Sequence, residues 1–297
     1  MIKRFLFIVS LMLFSACNAN NQKNIKLEKV EDALDFYKEY SIYTNPGQYS
    51  YLFKNLPDSL QGLCELIKCQ FIHPVDLEPY RNLIPENRHY EDRKFPSAEK
   101  LLAGLLALDS AGLVYERKPE NRLVVTCRYH SILLASILKS RGTPVRLRYG
   151  FAPYLAPGRG LHIGHVICEV WNDKEKRWMY VDPDRKMVDF PRDQFETGHE
   201  AWIAFRAGKI KDPNKYGVSN SWGEVMILGT IYQDFLCVLG YEPLYWEYPV
   251  SRFLNNEISK LEPERLKVLD EIAELMNNPD ENLNRLMEIY KKNQFLH

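Results

Sequence analysis

An α+β domain is the fold class that this sequence predicts, and three observations predict it. Helical apolar spacing fills the first part of the chain, in residues 59–71, 98–108 and 127–138. Period-two alternation then takes over at 145–151, 164–171 and 177–182, with a polar turn between the last two. Helices first and a central antiparallel sheet later is the α+β order, in contrast to the strict alternation of a parallel sheet. At 297 residues, with 45% hydrophobic and 26% charged side chains, the chain is long enough for one large domain with an appendage. Lys+Arg and Asp+Glu balance at 39 each, so no basic excess argues for nucleic acid.

Residues 1–16 stand apart from the fold. Lys3 and Arg4 precede an apolar run from Phe5 to Phe14 that is too short to span a bilayer, and Ser15-Ala16 leads into Cys17. This pattern resembles a bacterial lipoprotein signal with Cys17 as the lipidated residue; a plain secretory signal is the alternative. Residues 17–28 then read as a polar tether, and the expected location is exported and membrane-anchored, in the periplasm or at the cell surface.

Residues 27–40 and 59–71 read as helices on either side of the turn Thr44-Asn45-Pro46-Gly47. Residues 73–96, with Pro74, Pro79 and Pro85, form a mixed surface excursion able to border a cleft. Ser97 is a good N-cap for a helix over 98–108, and residues 109–121 carry the chain to the next helix. That helix begins at Cys127 behind Thr126 as N-cap, and Ile132, Leu133, Leu134, Ile137 and Leu138 give it one broad buried face until Lys139-Ser140-Arg141-Gly142 ends it. Cys127 thus sits at the positive end of a helix dipole, where a thiolate is favoured and first-turn amides are able to receive an oxyanion. The competing reading is a buried structural cysteine.

After Gly142, residues 145–151 alternate, with Arg146 and Arg148 turned from the apolar side and expected to be solvated. The Pro/Gly loop 152–160 around Tyr154 is a candidate rim over the thiol. In the strand 164–171, His165, Ile167 and Glu169 share one face. If the turn centres between Asp173 and Lys174, His165 lies directly opposite Asp182, with Cβ atoms roughly 5 Å apart. A carboxylate there orients an imidazole and leaves its other nitrogen for the thiol. Asp184 is the weaker candidate because Pro183 intervenes, and His130 is a pocket or surface residue. His162 and His165 form an HxxH pair without two further ligands at credible spacing, so neither metal nor cofactor is expected.

The ordered set of Cys127 in TCRYHSILLASILKSRGTPVR, His165 in GHVICEVW and Asp182 in YVDPD resembles the bacterial transglutaminase-like superfamily, whose core is related to papain-type cysteine proteases. YSYLFKNLPDSLQGLCELIKCQFIH, RKPENRLVVTC, AWIAFRAGKIKDPNKYG and ILGTIYQDFLCVLGYEPLYWEY extend the likeness over roughly residues 30–250. The resemblance implies Cys127 as nucleophile, His165 as general base and acid, and Asp182 as orienting carboxylate. Thr126 stands where Asn is common, and Tyr129-His130 where an acidic-aromatic pair is common, departures that bear on substrate preference.

Downstream, most aromatic residues are expected in the core, with Trp202 and Trp222 the exceptions, and 221–239 reads as a long helix. Residues 251–297 form a helical extension divided at Pro263 and Pro279, appended to a domain spanning 29–250. Cys64, Cys69, Cys168 and Cys237 have no pairing that the sequence determines, and Cys168 and Cys237 read as buried thiols. The expected activity is that of a thiol enzyme acting on amide bonds of a peptide, protein or peptidoglycan-type substrate, hydrolysis ahead of cross-linking. The alternative is a non-catalytic peptide- or glycan-binding module.

Overall fold

A computed structural model describes residues 32–248, 250–255 and 257–297. The expected signal, Cys17 and the tether lie outside the described residues, as does the start of the helix expected over 27–40. The first half runs α1 (Ala33–Lys38), α2 (Leu60–Gln70), β1 (Phe71–Ile72), α3 (Ala98–Leu108), β2 (Leu123–Val124) and α4 (Cys127–Ser140). The sheet follows with β3 (Val145–Ala152), β4 (His162–Asn172), β5 (Arg177–Asp182), β6 (Met187–Val188) and β7 (Glu196–Thr197). Then come α5 (Gly198–Arg206), β8 (Tyr216–Val218), β9 (Ser221–Trp222), α6 (Glu224–Val238), α7 (Val250–Asn255), α8 (Pro263–Leu275) and α9 (Pro279–Lys292).

The fold is α+β. The central sheet has the order β6-β5-β4-β3-β7, with β8 running parallel to the start of β4 and β9 pairing β8. Its main ladders, β3 on β4 and β4 on β5, are antiparallel. Ser97 caps α3 through its side chain as its sequence predicts, and the extension divides at Pro263 and Pro279, each at the start of a helix. The long helix expected from Ser221 begins instead at Glu224, because Ser221 and Trp222 pair with β8 and Gly223 turns the chain at φ 93°.

Helix α4 is the core element, and its burial exceeds the one face that its apolar spacing indicates. All residues from Cys127 to Lys139 are buried, since α2 and α3 cover one side and the sheet the other. Arg128 shows how a polar residue is accommodated there. Arg128 donates to the carbonyl oxygens of Pro243 (2.9 Å), Pro96 (3.2 Å) and Glu242 (2.6 Å), and its guanidinium lies 4.8 Å from the Tyr43 ring.

Two sequence expectations are corrected here, the solvated arginines and the placing of Trp202 outside the core. Arg146 and Arg148 are only 3% and 2% exposed; both bond Glu169 Oε2, at 2.6 and 2.9 Å, and Arg148 also forks onto Asp234 of α6 at 2.7 and 2.8 Å. Alternation places them on one face, and carboxylates from β4 and α6 make that face a buried ion-pair layer. Trp202 is fully buried, with its indole N–H donating to Asp270 of α8 at 2.9 Å. Helices α8 and α9 share one continuous apolar cluster with α4, α6 and the sheet, through Leu269, Ile272, Leu283 and Leu286. Cys64, Cys69, Cys127, Cys168 and Cys237 are all free thiols, and Cys168 and Cys237 are buried.

Candidate active site

The start of α4 is fixed from outside the helix. Strands β1 and β2 pair in parallel, Phe71 with Leu123 and Ile72 with Val124, and the Val125 N–H donates to Ile72 O at 3.0 Å. Glu91 accepts from the Val124 N–H at 3.0 Å. Asp92 accepts from both the N–H (3.0 Å) and the hydroxyl (2.8 Å) of Thr126, and from Tyr90 Oη at 2.9 Å. Thr126 occupies the N-cap position, but its hydroxyl serves Asp92 and makes no cap. The first-turn amides therefore carry no side-chain cap, the condition under which a helix start can meet an anion.

Strand β4 supplies His165. Its ladder partner on β3 is Gly150, where a Cβ would lie 2.3 Å from Glu196 O, so only glycine lets β7 cross there. On the other side β4 pairs β5 with Asn172 opposite Arg177, so the turn centres one residue later than the sequence reading placed it. The register shifts by two, and Asp182 becomes a diagonal neighbour of His165, one pleat away from the directly opposed position. A shift of two keeps the side-chain face, and the contact survives: His165 Nε2 lies 2.8 Å from Asp182 Oδ2.

Asp182 is a saturated acceptor. Oδ2 also receives the Tyr154 hydroxyl at 2.7 Å, while Oδ1 receives the N–H groups of Asp184 (2.9 Å) and Arg185 (3.1 Å). Burial works against its charge, but the His165 imidazolium and these donors hold the carboxyl below its ordinary range. Burial likewise opposes a charge on His165, and Asp182 together with the Cys127 thiolate raises it well above the usual histidine value.

Cys127 is 6% exposed. Burial opposes its ionisation, yet the charge and hydrogen bond of His165, joined by His73, bring the thiol down to about 6. Tyr245 Oη stands 3.9 Å from the sulfur. The three residues singled out in the sequence thus lie at one site, with the His165 imidazole bonded to Asp182 and its charge acting on the Cys127 thiol.

The neighbours of the triad were only partly anticipated. The loop suspected as a rim contributes Tyr154, which braces Asp182 from the far side. His130 is fully buried; its Nδ1 lies 3.1 Å from Thr126 O, burial lowers it to about 4, and its Nε2 lies 3.6 Å from Asp184. Asp184 takes Lys68 at 2.7 Å, and it is Asp182 that bonds His165 Nε2. Tyr245 gave no sequence signal, and His73 and Asp92 were marked only by their place in a segment able to border the cleft. Tyr245 comes to the thiol and Asp92 to the adjacent Thr126 by pairings across long stretches of chain.

Of the HxxH pair, His162 stacks on Tyr216 and pairs with Glu196 at 3.1 Å, away from His165's partner. Comparisons with protein-family models, curated proteins and solved structures give no significant match.

Proposed function

We propose that this chain is an exported, lipid-anchored thiol enzyme of transglutaminase-like type, acting on amide bonds of peptides or proteins through a covalent acyl-enzyme. The observation that carries this reading is the Cys127 thiol, held at about 6 beside an imidazole that Asp182 orients. The Cys127 sulfur attacks the carbonyl carbon, the C–S bond forms and the carbonyl electron pair moves to oxygen. Collapse restores the carbonyl and breaks the C–N bond as the His165 imidazolium gives its proton to the leaving amine. Water, activated by the now neutral His165, then releases the acid and regenerates the thiol. An amine in place of water makes the same site a transamidase, and hydrolysis is the favoured outcome. Export and lipidation rest on the pattern of residues 1–17.

The deciding experiment is the pH dependence of iodoacetamide alkylation at Cys127, followed by mass spectrometry in the native protein and in His165→Ala. Selective reaction with a midpoint near 6 that the substitution abolishes supports the pair, and a peptide and amine screen follows. Titration like a plain buried thiol in both proteins would remove the enzyme reading. Cys17 is tested separately, by incorporation of an alkyne-tagged fatty acid that Cys17→Ala should eliminate.

A further inference from the structure

The Asp182 carboxylate meets His165 with one oxygen and the β5–β6 loop with the other. That loop is short, Pro183 to Lys186, with Asp182 opposite Met187 on the ladder and Lys186 at φ 58° closing the turn. Oδ1 accepts the N–H groups of Asp184 at 2.9 Å and Arg185 at 3.1 Å, which leaves Oδ2 for His165 at 2.8 Å and Tyr154 at 2.7 Å. A carboxylate gripped at Oδ1 cannot turn about its Cβ–Cγ bond without losing both amides, so whatever fixes the loop also fixes the aim of Oδ2.

The side chains of the same two loop residues enter a closed ring of four alternating charges. Lys68 of α2 lies 2.7 Å from Asp184 and 3.0 Å from Asp76. Arg185 completes the circuit, 3.3 Å from Asp76 and 3.5 Å from Asp184. Asp184 is buried, and a buried carboxylate requires partners of this kind. His130 adds a contact on the helix side: its Nε2 lies 3.6 Å from Asp184, while its Nδ1 lies 3.1 Å from Thr126 O, the carbonyl just before Cys127. The ring and His130 together tie the loop behind Asp182 to α2, to the 3₁₀ segment Pro74–Asp76 and to the start of α4.

We infer that Asp184 is a positioning residue for the triad: its carboxylate, clamped between Lys68 and Arg185, holds the β5–β6 loop so that the two loop amides keep Asp182 aimed at His165. The inference rests on the thiol-enzyme reading and adds to it a residue that acts through Asp182. An exposed ion pair would do little for such a loop. Asp184 is buried, however, and loss of its charge leaves Lys68 and Arg185 to share the half-buried Asp76 alone. With the clamp open the loop amides are free to leave Oδ1 and the carboxylate turns. The support it gives the His165 charge, and through His165 the Cys127 thiolate, then weakens.

A double-mutant cycle separates action through Asp182 from a direct effect of the Asp184 charge. The pH midpoint of iodoacetamide alkylation at Cys127 is read by mass spectrometry on the full chain in the native protein, Asp184→Asn, Asp182→Asn and the double variant. Asp184→Asn should raise the midpoint by roughly 0.5–1 pH unit alone and by less than about 0.2 unit in the Asp182→Asn background, where the carboxylate to be aimed is already gone. Equal shifts in the two backgrounds, or no shift in either, would overturn the assignment. Asp76→Asn opens the same ring at a half-buried residue and carries the test if Asp184→Asn does not fold. A smaller rise of the same sign is expected there, again lost without Asp182, and an unmoved midpoint would overturn the assignment as well. A native Cys127 that titrates like a plain buried thiol would sink the enzyme reading and this inference with it. If native Cys127 alkylates with a midpoint near 6 but p-nitrophenyl acetate never acylates it with release of p-nitrophenolate, the acyl-transfer reading alone fails, because the clamp is read at the thiolate.

Discussion

His165 Nε2 and Asp182 Oδ2 stand 2.8 Å apart across the β4–β5 ladder, and the same carboxylate accepts from the Tyr154 hydroxyl and two backbone N–H groups. Four donors on one buried carboxylate hold its charge and fix the ring, so Nδ1 is the nitrogen left for Cys127. Asp182→Asn would replace two acceptor oxygens with one acceptor and one donor. The amide either turns its N–H₂ toward Tyr154 and His165 or toward the two backbone N–H groups, and each choice sets donor against donor. Its expected effect is a rise of the Cys127 alkylation midpoint by at least about one pH unit and a loss of at least about 10²-fold in acylation rate. Tyr154→Phe removes one donor and should shift the midpoint less.

The pH window of the thiolate–imidazolium pair follows from its two shifts. Cys127 is lowered to about 6 against burial by His165, and His165 is raised well above its ordinary value against burial by Asp182 and the thiolate. The pair therefore assembles as pH rises through about 6 and persists until His165, raised above its ordinary value, gives up its proton. Alkylation should reach its plateau by about pH 7. In His165→Ala the burial penalty is no longer offset, so the midpoint should move above the ordinary thiol value of about 8.5. An unchanged midpoint would show that a group other than His165 supplies the charge.

Glu169 carries a different prediction, one about stability. Arg146 and Arg148 both depend on it in the buried layer, and their charges hold its carboxyl well below the ordinary range despite burial. Glu169→Gln leaves two buried guanidinium groups sharing an uncharged partner, and a loss of about 3–5 kcal/mol is expected in urea unfolding. The acid limb has a defined sign: a carboxyl depressed in the folded state stabilises fully above its unfolded value of about 4.3, and that contribution fades as pH falls below it. Native protein should therefore lose stability below about pH 4, and the Glu169→Gln protein should lose less over the same interval.

The residues of the candidate site were legible in the sequence to the extent that a period identifies a face. Cys127 as first helical residue and His165 and Asp182 on one face of a hairpin all follow from spacing. Register does not: Lys176 adopts φ 52° in the turn and moves the pairing by two, a change that alternation cannot detect because it preserves the face. Long-range partners are equally invisible. Arg146 and Arg148 look solvated until Glu169 and Asp234 are brought beside them, and the two-residue ladder that aligns His73 with the start of α4 carries no pattern of its own. The short segments Phe71-Ile72 and Leu123-Val124 are too brief for a period to show.

Tyr245 is the residue whose bulk is expected to restrict access to the sulfur. Its hydroxyl lies 3.9 Å from Cys127 Sγ, and burial raises its own pKa well above the ordinary phenol value, so it faces the thiol as a neutral group. The segment that carries it is tied down on both sides. Arg128 holds the carbonyls of Glu242 and Pro243, while Glu247 accepts from the Leu244 N–H at 2.8 Å and the Tyr241 hydroxyl at 2.6 Å. A cover held this way restricts a small electrophile by its bulk, whereas the charge on the sulfur is set by His165. Tyr245→Ala should raise the plateau rate of iodoacetamide alkylation roughly 10-fold, equivalent to about 1.4 kcal/mol of barrier, and keep the midpoint near 6. Tyr245→Phe, which keeps the bulk, should leave the rate close to native. If Tyr245→Phe accelerates the reaction as much as Tyr245→Ala, the hydroxyl and not the ring restrains the thiol, and steric cover is the wrong account.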